Sequence, residues 1–259
     1  MLLPASNQDV REDPSGIQPL ENHVVGSDGV ELVARYKNLL VESNAKAKLE
    51  RWLSRDGSQQ VLWMSGSFEP QHQSTARVAA LAVVATACSL DTPLISHFCE
   101  KPRRSLQTEP QDVEKVGLIG LVYSLVIQLV KLGSETSNLT IRDERLKKLD
   151  GTTESWPISL SLLGDLLQTV TCLQYFVIHG LNDVESATGY EWCLELLDIL
   201  LKHQTAGYSI LFSTSGQSRV LSKRIQFTNR YTMTMTKGEA ERKGKRLDNP
   251  TKENRYRNS

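Results

Sequence analysis

The sequence has few cysteines, and none of them are close together. Its four, Cys88, Cys99, Cys172 and Cys193, include no CxxC pair, the spacing from which structural zinc sites and redox dithiols are commonly built. Four cysteines in 259 residues are also far fewer than a small disulfide-stabilised secreted domain uses. We therefore expect reduced thiols, most of them buried in a core.

An excess of charge of one sign is also absent. Thirty Lys and Arg residues balance thirty Asp and Glu residues. This balance argues against a general nucleic-acid or membrane-surface binder, because such proteins have a basic excess. The amino terminus has no basic region followed by an apolar one, so it does not resemble a secretory signal. The sequence predicts a cytoplasmic protein.

Long hydrophobic runs are missing as well. The longest apolar stretch, residues 116–130, is interrupted by Gly117, Gly120, Ser124 and Gln128. It is also shorter than the roughly 20 residues that a membrane-spanning helix needs. We predict a buried core helix here, and no membrane partner for the protein.

The composition divides the chain into three segments. Residues 1–28 carry five acidic side chains, one basic side chain and three prolines, which predicts a disordered acidic leader. Residues 237–259 carry eight basic and four acidic side chains and almost no apolar ones, which predicts a disordered basic tail. Residues 29–236 have the composition of one globular domain.

Within the middle segment, short apolar runs alternate with helical patterns. The runs at residues 60–65, 92–99, 174–179 and 208–213 have the length and composition of buried strands. Helical patterns cover residues 31–54, 74–88, 113–132, 159–171 and 190–203. Apolar strands separated by helices are typical of an α/β fold, a parallel sheet with helices on both faces. His97, inside the second run, is expected to be a core histidine with satisfied hydrogen bonds.

The loop after the first predicted strand has the context of a phosphate-binding loop but not its residues. Such a loop reads GxxxxGK[ST] between a strand and a helix, and its lysine and hydroxyl contact phosphate and magnesium. Here Gly66 ends the strand, but the lysine position falls on His72, or on Gln73 if one residue is inserted. With the insertion, Ser74 and Thr75 supply the hydroxyl.

Five segments in order resemble the nucleotide-binding domain of fungal NACHT-type proteins, members of the STAND class of signal-transduction NTPases. They are residues 63–66, 95–99, 120–129, 176–183 and 209–216. The resemblance implies a truncated, P-loop NTPase-like domain. Where the family's Walker B motif has two Asp and a Glu, this chain has His179, Asn182 and Asp183.

These departures determine what the resemblance implies about chemistry. Loss of the lysine removes a charge-assisted hydrogen bond of about 1.5–3 kcal/mol, and loss of the Walker B acids impairs magnesium positioning and water activation. We expect no catalytic residue, no metal site, no cofactor and no efficient NTP hydrolysis. The resemblance leaves a vestigial nucleotide site made of Gly66, His72, Gln73, Ser74, Thr75, His179, Asn182 and Asp183.

Three functions remain open at this point. The departures favour a catalytically silent interaction or regulatory protein that docks on a protein partner, such as a full-length NACHT relative. The second is a molecular switch that binds ATP or GTP with Mg²⁺ and hydrolyses it weakly or not at all. In the third, the core is inert and the tail at residues 237–259 binds RNA or an acidic surface.

Overall fold

The protein folds around one parallel β-sheet. The structure, a computed structural model, describes residues 17–36, 39–54, 60–68, 74–100, 112–137, 144–186, 188–203 and 207–233. These residues form five parallel strands with helices packed on both faces of the sheet. The α/β fold predicted from the sequence is confirmed.

Four of the five strands are the apolar runs of the sequence. The strands are β1 (Val61–Gly66), β2 (Leu94–Phe98), β3 (Tyr175–His179), β4 (Ser209–Ser215) and β5 (Arg230–Thr232). Their order across the sheet is β2-β3-β4-β1-β5, and every neighbouring pair is parallel. The sequence does not predict β5, which is three residues long and only partly buried.

Among the described residues, the four longest helices fall close to predicted patterns, whereas two short helices, at residues 18–21 and 219–224, match none. The helices are α1 (Gln18–Glu21), α2 (Gly29–Val33), α3 (Ser43–Leu53), α4 (Thr75–Ser89), α5 (Val113–Ser137), α6 (Trp156–Thr169), α7 (Tyr190–Lys202) and α8 (Arg219–Arg224). The single helix predicted over residues 31–54 is wrong, because residues 34–36 and 39–42, which lie between α2 and α3, are not helical. Tyr36 and Leu39 mimic a helical period there, but they pack against the core from an irregular connection.

Alternate side chains of the strands build two cores. On one face, residues such as Phe176, Ile178 and Phe212 pack with α5 to α8. On the other face, Val177 and Leu211 pack with α2, α3 and α4. Because both faces are covered, the strands are continuous apolar runs rather than alternating ones.

Residues 17–28 are folded against the sheet, so the predicted disordered leader is wrong for this part; residues 1–16 lie outside the described residues. Ile17 and Leu20 are buried. Ser27 pairs with Phe98 at the outer edge of β2 through two backbone hydrogen bonds of 3.1 and 2.9 Å. The Asp28 carboxylate caps α2. The burial of a few apolar side chains and this backbone pairing therefore fold the segment despite its acidic composition.

The predicted tail, residues 237–259, also lies outside the described residues.

The long apolar stretch is a core helix, as predicted. α5 is the one helix among the described residues that is long and apolar enough to cross a membrane. However, 78% of its most apolar window is buried inside the fold. Its apolar side chains pack against the sheet and against α6.

Candidate functional site at the carboxyl edge of the sheet

The topology marks one edge of the sheet as the place for a site. After β1 the chain continues into α4 on one face, and after β4 it continues into α8 on the other face. In an open parallel sheet, a crevice forms at the carboxyl ends of neighbouring strands whose connections diverge in this way, and ligands bind there. We use "carboxyl edge" for the ends of β1, β3 and β4 together with the first turn of α4.

Ser74 stands at the centre of this edge, as the N-cap of α4. Its hydroxyl oxygen accepts a hydrogen bond from the backbone N–H of Arg77, at 3.1 Å, and another from the hydroxyl of Ser215, at 2.6 Å. A hydroxyl oxygen has two lone pairs, and both are engaged. Ser74 would have to release one of these bonds before its oxygen could bind a cation.

His179 ends β3, where the resembled family has an acid. Its Nδ1 lies 3.0 Å from the hydroxyl oxygen of Ser213, which donates its only proton to the carbonyl of Ala76 at 2.6 Å. The imidazole must therefore donate at Nδ1. Burial, and then the positive charge of Arg77, lower the pKa of His179 to about 3. His179 is thus neutral and cannot replace an anionic ligand.

Asn182 and Asp183 follow β3 and diverge. The Asn182 amide nitrogen donates to the carbonyl of Ser215 at 3.0 Å, and its Oδ1 is buried without a partner. The Asp183 carboxylate turns towards Gly180, whose backbone is left-handed with a φ of +81°, and its Oδ2 would lie 3.2 Å from a Cβ at that position. Asp183 also helps to raise the pKa of the buried Cys99. Asn182 therefore joins the carboxyl edge, whereas the Asp183 carboxylate lies beside Cys99.

The close approach of α4 explains why residue 66 is a glycine. A Cβ on Gly66 would lie 2.8 Å from Oγ1 of Thr75, closer than such atoms can come. Two residues after Gly66, Phe68 is 77% exposed and lies against Gly216. Of the predicted site residues, His72 and Gln73 lie outside the described residues.

The structure thus brings together five of the predicted site residues: Gly66, Ser74, Thr75, His179 and Asn182. Sequence reasoning missed the two serines that tie them together, Ser213 and Ser215, as site residues. The sequence did contain a signal for them, because both serines lie in the last three residues of β4, next to the carboxyl edge. Arg77 and Glu185 have no signal of this kind.

Glu185 is a buried carboxylate that closes the start of α8. It accepts hydrogen bonds from the Ser218 hydroxyl at 2.5 Å and from the backbone N–H groups of Arg219 and Val220 at 2.9 and 3.3 Å. These donors and the helix dipole stabilise the negative charge. Glu185 is therefore a capping residue, and its oxygens are already occupied.

The donors at the carboxyl edge do not fit magnesium. Mg²⁺ is bound in proteins mainly through carboxylates and phosphate oxygens, but the hydrogen-bonded network here consists of hydroxyls, one amide and a neutral imidazole. No group of three metal-ligating side chains occurs among the described residues. These residues do not reproduce the magnesium–nucleotide site that the resemblance implies.

Comparisons of the chain with protein-family models, curated proteins and solved structures found no match. The resemblance to NACHT domains therefore stays a prediction that rests on five sequence segments. Any functional conclusion has to rest on the geometry of this chain.

Proposed function

We propose that this protein is a catalytically silent interaction or regulatory protein, which acts by docking on a protein partner. The observation that carries the proposal is the engagement of Ser74. Its hydroxyl stands where the resembled family holds magnesium, but here it binds Arg77 and Ser215 within the protein. An edge whose polar groups bind one another supports a rigid scaffold better than a nucleotide-driven switch.

The surface that best fits a partner lies on α7 and α8. Arg219 and Lys223, one helical turn apart, place their cationic groups 5.6 and 5.8 Å from the ring of Tyr190. Both side chains are exposed, and neither has an ion pair among the described residues. We call Tyr190, Arg219 and Lys223 the α7–α8 patch.

Neighbouring carboxylates do not neutralise this patch. Glu185 is buried against the start of α8, and Asp198 forms an ion pair with Arg224 at 2.7 Å. The two cations of the patch remain available to an anionic partner, and an arginine guanidinium can hold a carboxylate through two parallel hydrogen bonds. Tyr190 would add a flat apolar surface between them.

The size of the patch indicates an acidic peptide segment rather than a nucleic acid. Two cations one turn apart match one or two carboxylates of a peptide, whereas a nucleic-acid binder presents a long stripe of basic residues. The equal numbers of acidic and basic residues in the whole chain point the same way. The resemblance implies a full-length NACHT relative as the partner, and an acidic segment of such a protein would match the patch.

The first experiment measures binding of a fluorescein-labelled hexaglutamate peptide to the full chain by fluorescence anisotropy. We expect saturable binding that weakens as salt is raised, because exposed charges are screened. Arg219→Glu/Lys223→Glu should abolish it. Lys147→Ala/Lys202→Ala, which removes two exposed cations outside the patch, should leave it unchanged. Equal loss in both double variants, or tighter binding of an RNA of the same length, would contradict the docking proposal.

The second experiment decides between the scaffold and the switch. Thermal unfolding of the full chain is followed with and without Mg–ATP and Mg–GTP. The scaffold predicts no rise in the midpoint at millimolar nucleotide that depends on Ser74. A rise of several degrees that disappears in Ser74→Ala would establish the switch instead, since a ligand at 100 times its Kd stabilises the folded state by about 2.7 kcal/mol.

A further inference from the structure

A separate feature of the carboxyl edge is a guanidinium for which the described residues provide no hydrogen-bond acceptor. Arg77 lies in the first turn of α4, and its Nε is buried without a hydrogen-bond partner. No hydrogen bond or ion pair to the Arg77 side chain is found among the described residues. A guanidinium has five N–H donors, and proteins rarely bury one of them without an acceptor.

The surroundings of Arg77 do not compensate its charge. Its Cζ lies 5.1 Å from the centre of the Phe98 ring, so an aromatic face is its principal contact. The next ring, His179, is centred 5.3 Å from Phe98 and is neutral. The Arg77 charge itself contributes to the lowered pKa of His179.

The position in the helix is a second unfavourable feature. A helix amino terminus carries a partial positive charge, so a cation in the first turn is disfavoured there and an anion is favoured. Arg77 is the third residue of α4, after the Ser74 cap. A cation that is part-buried, unpaired and at the wrong end of a helix opposes folding, and such residues are typical of binding sites.

From this geometry we propose that Arg77, with the Phe98 ring against its guanidinium and the neutral His179 on that same ring, is a binding site for a compact oxyanion, a phosphate or carboxylate group. The planar guanidinium matches two oxygens of such a group. The phenyl ring beneath it and the buried His179 exclude water on one side, which strengthens the electrostatic attraction. The site is distinct from the magnesium position at Ser74 and needs no metal.

The test measures thermal unfolding of the full chain in inorganic phosphate, in acetate and in AMP, each against sodium chloride at equal ionic strength. At ten times its Kd, the oxyanion should raise the midpoint by roughly 3–6 °C. Arg77→Met should remove the rise, and Arg51→Met, the same change at an exposed position of α3, should retain it. A rise with phosphate or acetate identifies a free anion as sufficient, and a rise with AMP alone identifies a nucleotide-borne phosphate.

The unfolding midpoint in chloride alone, without phosphate, acetate or AMP, gives an independent test of the role of Arg77. If Arg77 is a ligand-binding residue, Arg77→Met in chloride should unfold at the same temperature as the parent or higher, because an unpaired cation has been removed. If a carboxylate of this chain outside the described residues pairs with Arg77, Arg77→Met should unfold several degrees lower and phosphate should have no effect. That result would overturn the inference. It is separable from the scaffold proposal, which is tested by stabilisation by Mg–nucleotide through Ser74 and by peptide binding to the α7–α8 patch.

Discussion

The side-chain amide of Gln128 hydrogen bonds with both backbone groups of Ser96. Its Oε1 accepts from the Ser96 N–H and its Nε2 donates to the Ser96 carbonyl, each at 2.9 Å. Ser96 lies in β2, the edge strand of the sheet, so a side chain of α5 here takes the place of a further strand. Two residues further along β2, the backbone of Ser27 does the same for Phe98. Exposed strand edges are prone to aggregation. These two contacts occupy backbone hydrogen-bonding groups on the outer edge of β2.

Replacing Gln128 should therefore destabilise the protein strongly, because one side chain satisfies two backbone groups. Gln128→Leu leaves the N–H and carbonyl of Ser96 without partners, and we expect a loss of about 2–5 kcal/mol in the free energy of unfolding. Urea unfolding followed by circular dichroism measures it. The control is Lys131→Ala, which lies in the same helix as Gln128 and breaks an exposed ion pair with Glu21 of α1. It should lower the free energy of unfolding by at most about 1 kcal/mol. Equal losses in the two variants would contradict the edge-capping role.

His97 makes the protein sensitive to acid. The ring is fully buried in β2, and neither nitrogen has a hydrogen-bond partner among the described residues, so the prediction of a satisfied core histidine is wrong. The ring packs closely against Gly26, where a Cβ would lie 2.6 Å from Nε2 of His97. Burial lowers the pKa of His97 to about 4, and the backbone of Val25 offsets a part of this effect without forming a hydrogen bond of good geometry.

The sign of the pH dependence follows from this depressed pKa. Between pH 6.5 and pH 4 the unfolded chain binds a proton at His97 and the folded chain does not, so the free energy of unfolding falls as the pH falls. The loss from His97 is on the order of 3 kcal/mol. In His97→Leu we expect a shallower decline over this window and no loss at pH 7. Denaturant unfolding at a series of pH values measures it, and an unchanged slope would show that other groups are responsible.

The buried carboxylate of Glu185 should be essential for the stability of α8, the helix that follows β4. Glu185→Gln keeps the shape but removes the charge that accepts three hydrogen bonds at the start of α8. We expect a loss of about 2–4 kcal/mol in the free energy of unfolding. Glu191→Gln, an exposed change nearby in α7, should alter it by less than about 0.5 kcal/mol. Chemical denaturation of both variants tests this, and a neutral Glu185→Gln would mean that the cap is dispensable.

The bond between Ser74 and Ser215 can be measured by a double-mutant cycle. Ser74→Ala also removes a helix cap, which costs about 0.5–2 kcal/mol, whereas Ser215→Ala removes the hydroxyl that donates to Ser74. We expect a coupling of about 0.5–1.5 kcal/mol between the two changes. Additive effects would mean that the Ser74 hydroxyl is free for another ligand, and that would weaken the scaffold proposal.

The fold class and most of the longer elements could be predicted from the sequence. Apolar runs of six to eight residues, flanked by helical patterns, predict buried parallel strands because only strands covered on both faces are apolar throughout. It also indicated where a site would lie, since Gly66, Ser74 and His179 follow strands. Even the polar Gln128 marked residues 116–130 as a core helix rather than a membrane span.

The pairing of polar groups, in contrast, depends on how the fold brings distant residues together. The Ser74–Ser215 bond joins residues 141 positions apart, and the Gln128–Ser96 pair joins residues 32 apart, so no local pattern encodes either contact. The same holds for the folding of residues 17–28 on β2 and for the short β5, which is held by its pairing with β1. Arg77 is ordinary in the sequence and becomes a candidate anion site only because the fold places an aromatic ring and a neutral histidine beside it, and no acceptor among the described residues.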